Sequence, residues 1–257
     1  MKPQKQKGHG HLCCKMVAVG VLACYLPISP ADAAITLQFE YDDTAGTGFL
    51  DSVYGPARQA ALSTAASTFS TMFGSHFSNS GTITLKATAS DDPFSGTMAE
   101  AGSMAAPSAT PGFNLREVIR TKLQNGIDLN GENADGVVKV NFGQPWNVGL
   151  NTPASSDQYD FYTTLYHEFT HALGFTSTIE ESGASLFGRP SWGAFDSFVT
   201  EKHGNKIIDP ATFTLNQSAW DTGKVGNFGG GGSGGSAMPD EILHRIARNS
   251  YLNKADI

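Results

Sequence analysis

Residues 35–41 (ITLQFEY) and 82–89 (TITLKATA) alternate apolar and polar side chains, the period-two pattern of half-buried strands. Residues 137–142 (VVKVNF) predict a third strand, entered through the turn-rich run 128–136 (DLNGENADG). Between the first two strands, Ala57, Ala60, Ala61, Ala65, Phe69, Met72 and Phe73 fall near helical spacing. Pro56 suits the first helical position and Gly74 the stop, so a helix is expected over 56–73. A shorter helix is expected over 114–124, capped by Asn114 and ended by Asn125-Gly126. Residues 91–112 show no periodicity and read as a long loop. The central helix spans 158–173, with Tyr162, Leu165, Tyr166, Phe169, Ala172 and Leu173 forming one apolar stripe. Asp157 stands at its start and Gly174 at its end.

Further on, 195–202 and 206–208 flank His203-Gly204-Asn205 in the manner of a hairpin. Residues 228–237 are Gly-rich and flexible in character. A last helix is expected over 239–252, with Pro239, Asp240 and Glu241 in its first turn. Strands and helices in this order predict an α+β domain with a mixed sheet, and 257 residues suffice for one well-buried domain.

The start of the chain has a different character. Lys2, Lys5, Lys7 and Lys15 precede an uncharged apolar run at 16–26, followed by Pro27, Pro30 and the small-residue pattern Ala31-Asp32-Ala33. A basic start, a short apolar stretch and an A-x-A site describe a secretory signal peptide over 1–33, leaving a secreted domain over 34–257. The run is short for a bilayer span, so no stable membrane span is expected after cleavage. All three cysteines (Cys13, Cys14 and Cys24) leave with the leader, which excludes a disulfide scaffold or a thiolate metal site. The leader removes four of 17 basic and one of 24 acidic residues. The remainder, 13 against 23, carries a net charge of −10, which argues against a nucleic-acid partner.

The chemistry concentrates in His167-Glu168-Phe169-Thr170-His171, an H-E-x-x-H pattern inside the central helix. Residues i and i+4 share a helix face, so both imidazoles can reach one cation. Two neutral ring nitrogens suit Zn²⁺. Glu168 lies beside them, free to act as general base toward water on the metal. Chance occurrence of the pattern in a chain this long is on the order of 1 in 100. There is no G-x-S-x-G, no phosphate-binding loop and no dinucleotide fingerprint. Asp128, Asn130, Asn133 and Asp135 offer oxygens to calcium, but the full loop spacing and its terminal Glu are missing, and a turn before a strand is favoured. His76 sits at a helix end, and Trp146, Trp192 and Trp220 read as core or rim aromatics.

The stretch 164–177 (TLYHEFTHALGFTS) resembles the active-site helix of the metzincin zinc metalloproteases. His-Ala-Leu-Gly-Phe is similar to leishmanolysin-like members and related bacterial secreted proteases. The resemblance implies a zincin-like (metzincin-like) catalytic domain with a mixed twisted sheet and an active-site helix. It implies a zinc metalloendopeptidase acting on protein or peptide substrates, with His167 and His171 as ligands and Glu168 as base. Gly174 matches the glycine that turns the family's chain back toward the metal. The third histidine of the common pattern would fall at 177, where this chain has Ser177. Leishmanolysin-like proteases insert a long segment before it, which leaves His203 and His244. His203 precedes Ser236-Ala237-Met238-Pro239, similar to the family's methionine turn.

The plain alternatives stay beside these assignments: a hairpin turn for His203, a solvated helix face for His244 and a helix-start neighbour for Met238. Among carboxylates, Glu180, Glu181, Asp196 and Glu201 follow the helix, and Asp196 could equally cap or pair inside the fold. The third ligand therefore stays open between His203, His244, a carboxylate such as Asp196, and a residue outside this chain. Strand 137–142 is the expected edge for aligning an extended substrate. The rival readings are a secreted binding or surface protein with a vestigial zinc site, and an incomplete fragment of such a protease.

Overall fold

The computed structural model describes residues 35–77 and 79–224. The expected leader, the Gly-rich segment 228–237, Met238, His244 and the last helix lie outside the described residues. In chain order the described elements are β1 (Ile35–Tyr41), α1 (Gly55–Phe73), β2 (Gly81–Ser90), β3 (Ala99–Ser103), β4 (Ala105–Ala106), β5 (Arg116–Glu117), α2 (Val118–Asn125), β6 (Gly136–Asn141), β7 (Trp146–Asn147), β8 (Tyr159–Asp160), α3 (Phe161–Ala172) and α4 (Gln217–Lys224).

The alternating segments form a four-stranded mixed sheet in the order β1-β2-β6-β3. Strands β1, β2 and β6 run parallel, with Leu37 opposite Ile83 and Ala87 opposite Val138. Parallel neighbours need a crossover, and α1 supplies the one between β1 and β2. Ile35, Leu37, Ile83, Leu85, Ala87, Val138 and Val140 line one buried face. Thr36, Gln38, Glu40 and Lys139 point the other way, into water. Both α1 and α3 cover the buried face. Helix α1 brings Ala61, Leu62, Ala65, Ala66 and Phe69 to it, and the small alanines allow close approach. Phe169 of α3 meets Phe69 edge-on at 5.4 Å and stacks on Phe39 at 6.3 Å, which locks the central helix onto both α1 and the sheet. A second, smaller core follows α3 and contains Ile179, Trp192, Phe195, Val199, Ile207, Ile208 and Ala219. The architecture is α+β with a mixed sheet, as the periodicities require.

Several local expectations are corrected. The stretch 91–112 is not a continuous loop, because Ala99–Ser103 adds β3 antiparallel to β6, with Ala101 opposite Val138. Strand β6 consequently has neighbours on both sides, and the expected edge role of 137–142 passes to β3. Helix α2 starts at Val118 rather than Asn114, since Arg116–Glu117 pairs with Ala105–Ala106. The Asn114 side chain is spent on the Thr110 carbonyl and the Ser191 hydroxyl instead of a cap. Its end is as expected, with Gly126 left-handed at φ 68.

Helix α3 starts at Phe161, three residues later than expected. Its cap is Asp160, whose Oδ1 accepts from the Thr163 N–H at 2.7 Å. Asp157 accepts from Ser155 outside the helix. The expected hairpin around His203-Gly204-Asn205 is present but short: Thr200 bridges Lys206 antiparallel, Glu201 donates to the Asn205 carbonyl and Ile207 to that of Val199, while Phe195–Ser197 is a 3₁₀ turn rather than strand. Finally, the Lys122 ammonium occupies the centre of the calcium-like loop, 2.9 Å from Asp128 and 3.0 Å from Asp135. Asp128 also accepts the N–H groups of Asn130 and Gly131, in agreement with the turn reading. None of the described helices is long and apolar enough to cross a membrane.

Candidate functional site

Helix α3 buries Phe161, Tyr162, Leu165, Phe169 and Ala172, which turns His167 and His171 to its outer side. One helical turn apart, their rings stand nearly perpendicular, with centroids 4.5 Å apart. Their Nε2 atoms converge to 2.9 Å. The His171 tautomer follows from its other nitrogen, which lies 2.9 Å from the Phe175 carbonyl. A carbonyl only accepts, so Nδ1 carries a proton and donates, which leaves Nε2 to face His167. Burial, and then the neighbouring His171, lower the proton affinity of His167. The two Nε2 atoms thus converge on one point from the same helix face.

This donor set fits Zn²⁺. A tetrahedral ion with nitrogens at about 2.0–2.1 Å keeps them roughly 3.3 Å apart, a small side-chain adjustment away. The backbone carbonyl on Nδ1 is the usual outer partner of a metal-binding imidazole.

Glu168 points inward and is 8% exposed. Burial raises its carboxyl to about 7. The Ala101 N–H of β3 pulls it down and the Glu100 charge adds to the rise. Ala101 can serve here because of the β3 register. Asn141 donates to the Met98 carbonyl and Met104 to the Asp135 carbonyl, so the residues bonded to β6 alternate from Met98. The backbone groups of Ala99 and Ala101 therefore face the unpaired edge, beside Glu168.

The remaining sequence candidates are engaged elsewhere. Asp196 is wholly buried, with both oxygens taken by Ser177, Thr178 and Gly193. Burial pushes its carboxyl up, while these donors oppose the rise. Ser177, standing where the metzincin pattern has histidine, spends its hydroxyl on Asp196 at 2.6 Å. Glu201 closes its own turn by accepting from His203 and Asn205 N–H groups, and His203 is exposed at that turn. Glu180 and Glu181 begin a surface turn that ends with Gly183 donating to the Glu180 carbonyl. Among the described residues no group of three or more His, Cys, Asp or Glu that could hold a metal is present. His244 lies outside them.

Two contributors were hidden from sequence reasoning, the Ala101 N–H and the Phe175 carbonyl. Both are backbone groups, so no residue type signals them. Comparison with protein-family models, with curated proteins and with solved structures returned no match.

Proposed function

We propose that the chain is a secreted zinc-dependent endopeptidase with a metzincin-like catalytic domain. The observation that carries this reading is the convergence of the His167 and His171 Nε2 atoms, 2.9 Å apart, on the helix that also sets Glu168 against an open strand edge. His167 and His171 are two ligands for Zn²⁺, which when bound supplies a Lewis acid for the scissile carbonyl and makes water acidic enough to ionise near neutral pH. Glu168, with a proton affinity near neutrality, takes a proton from water and returns it to the leaving amine. Strand β3 replaces 137–142 as the strand that aligns an extended peptide, through the outward backbone groups of Ala99 and the Ala101 carbonyl. The leader-like start supports export, and the net charge of −10 that remains beyond it supports a protein or peptide substrate over nucleic acid.

A second reading, a secreted binding or surface protein with a vestigial zinc site, is favoured by the engagement of Ser177 and Asp196 with each other rather than with the histidines. The deciding experiment measures zinc by elemental mass spectrometry and peptide hydrolysis on the full chain as exported, beside His171→Ala and Glu168→Ala. The protease reading expects about one zinc per chain, lost in His171→Ala. It also expects hydrolysis to fall roughly 10²–10⁴-fold in Glu168→Ala with zinc retained. Zinc without hydrolysis supports the vestigial reading, and a folded chain without zinc overturns the metal site.

A further inference from the structure

Resting on the metal reading above, we infer that Asp196 is a positioning residue for His171, acting through Ser177, Thr178 and the Phe175 carbonyl. The chain leaves α3 through Gly174, at φ 97. Gly174 donates to the His171 carbonyl at 3.0 Å and Phe175 to the Thr170 carbonyl at 3.1 Å. These bonds bring the Phe175 oxygen under the His171 ring, where it accepts from Nδ1. Helix α3 holds Phe175 through Thr170, and residues 176–178 beyond it are tied down by Asp196. Asp196 lies 25 residues downstream of His171 and fixes the chain just past the Phe175 carbonyl.

Its Oδ1 accepts from the Ser177 hydroxyl at 2.6 Å and the Thr178 N–H at 3.2 Å. Its Oδ2 accepts from the Thr178 hydroxyl at 2.5 Å and the Gly193 N–H at 2.9 Å. Ser177 is 7% and Thr178 5% exposed, so these bonds are made away from water and lack its competition. A second carboxylate closes the same box from another side. Glu117, 3% exposed, accepts from Arg120 Nε at 2.7 Å, and its Oε1 lies 3.2 Å from where a Cβ on Gly174 would sit. The segment carrying the Phe175 carbonyl leaves Gly174 beside Glu117 and runs on to the residues that Asp196 bonds. Releasing Asp196 frees that carbonyl, and His171 then loses the bond that selects its Nδ1–H tautomer and aims Nε2.

The test uses ¹⁵N-labelled, metal-free full chain at neutral pH. Long-range ¹H–¹⁵N correlation of the imidazoles reports the His171 tautomer, and competition with a chromophoric chelator reports zinc affinity. Asp196→Asn and the milder Ser177→Ala should move His171 toward the Nε2–H tautomer and weaken zinc binding tenfold or more. Asp135→Asn alters a buried carboxylate elsewhere, so it should lower Tm but leave both readouts unchanged. If His171 keeps its Nδ1–H tautomer and zinc affinity in folded Ser177→Ala and Asp196→Asn, the inference is overturned. It is equally overturned if Asp135→Asn shifts His171 as much. A wild-type chain that binds no zinc, but whose His171 tautomer still depends on Asp196, sinks the metal reading and leaves the positioning role standing.

Discussion

His167 and His171 face each other through their Nε2 atoms at 2.9 Å, one turn apart on α3, while the Nδ1–H of His171 is committed to Phe175. A cation between them needs both rings neutral, so zinc binding strengthens as pH rises. Burial and His171 lower the proton affinity of His167, so protons should compete with zinc at His167 less than at an ordinary histidine. Zinc titrations from pH 5 to 8 check this, and an affinity that does not rise with pH would contradict it.

Glu168 gives a pH signature of the opposite kind in the metal-free chain. Its carboxyl is raised from 4.5 to about 7, so the folded state holds the proton more tightly than the unfolded state. Stability is full below the unfolded value and falls as pH rises through about 7. Glu168→Gln removes that loss. At pH 8 the variant should be more stable than wild type by up to about 3 kcal/mol, and at pH 4 no more stable. Urea unfolding at the two pH values measures the difference.

Ala99 stands on the open edge of β3 with its N–H directed away from β6. Ala99→Pro removes that donor without breaking a ladder bond, a position where proline is tolerated. In the protease reading KM for an extended peptide should rise roughly 2–10-fold, the worth of one hydrogen bond, with zinc content unchanged. An unaltered KM would remove β3 from substrate alignment.

Lys122 holds Asp135, which is 1% exposed, and also Asp128. Lys122→Met leaves the Asp135 charge buried without its ammonium partner and should cost about 2–4 kcal/mol in chemical denaturation. Because the ammonium fills the loop, millimolar calcium should leave the wild-type Tm unchanged. A calcium-dependent rise would restore the ion-binding reading of 128–136.

The H-E-x-x-H face was legible from sequence because it depends on one helix alone. Spacing i to i+4 puts His167 and His171 together wherever 161–172 is helical, and the stripe through Leu165 and Phe169 makes it so. Strands β1, β2 and β6 were legible for the same reason, since their alternation reports a half-buried face within a few residues.

What only the tertiary structure decided depends on partners far along the chain. AEAGS in β3 has little β propensity and no apolar alternation. It becomes a strand because β6 offers it an edge, and that pairing moves the free edge away from 137–142. Asp160 rather than Asp157 caps α3, because Asp160 ends β8, which pairs with β7 immediately before the helix. Asp196 was one carboxylate among four in the sequence. Its buried bonds to Ser177 and Thr178 arise only when the second core folds back against the end of α3. Local periodicity is written in neighbouring residues, whereas hydrogen-bond partnership over long separations is chosen by packing.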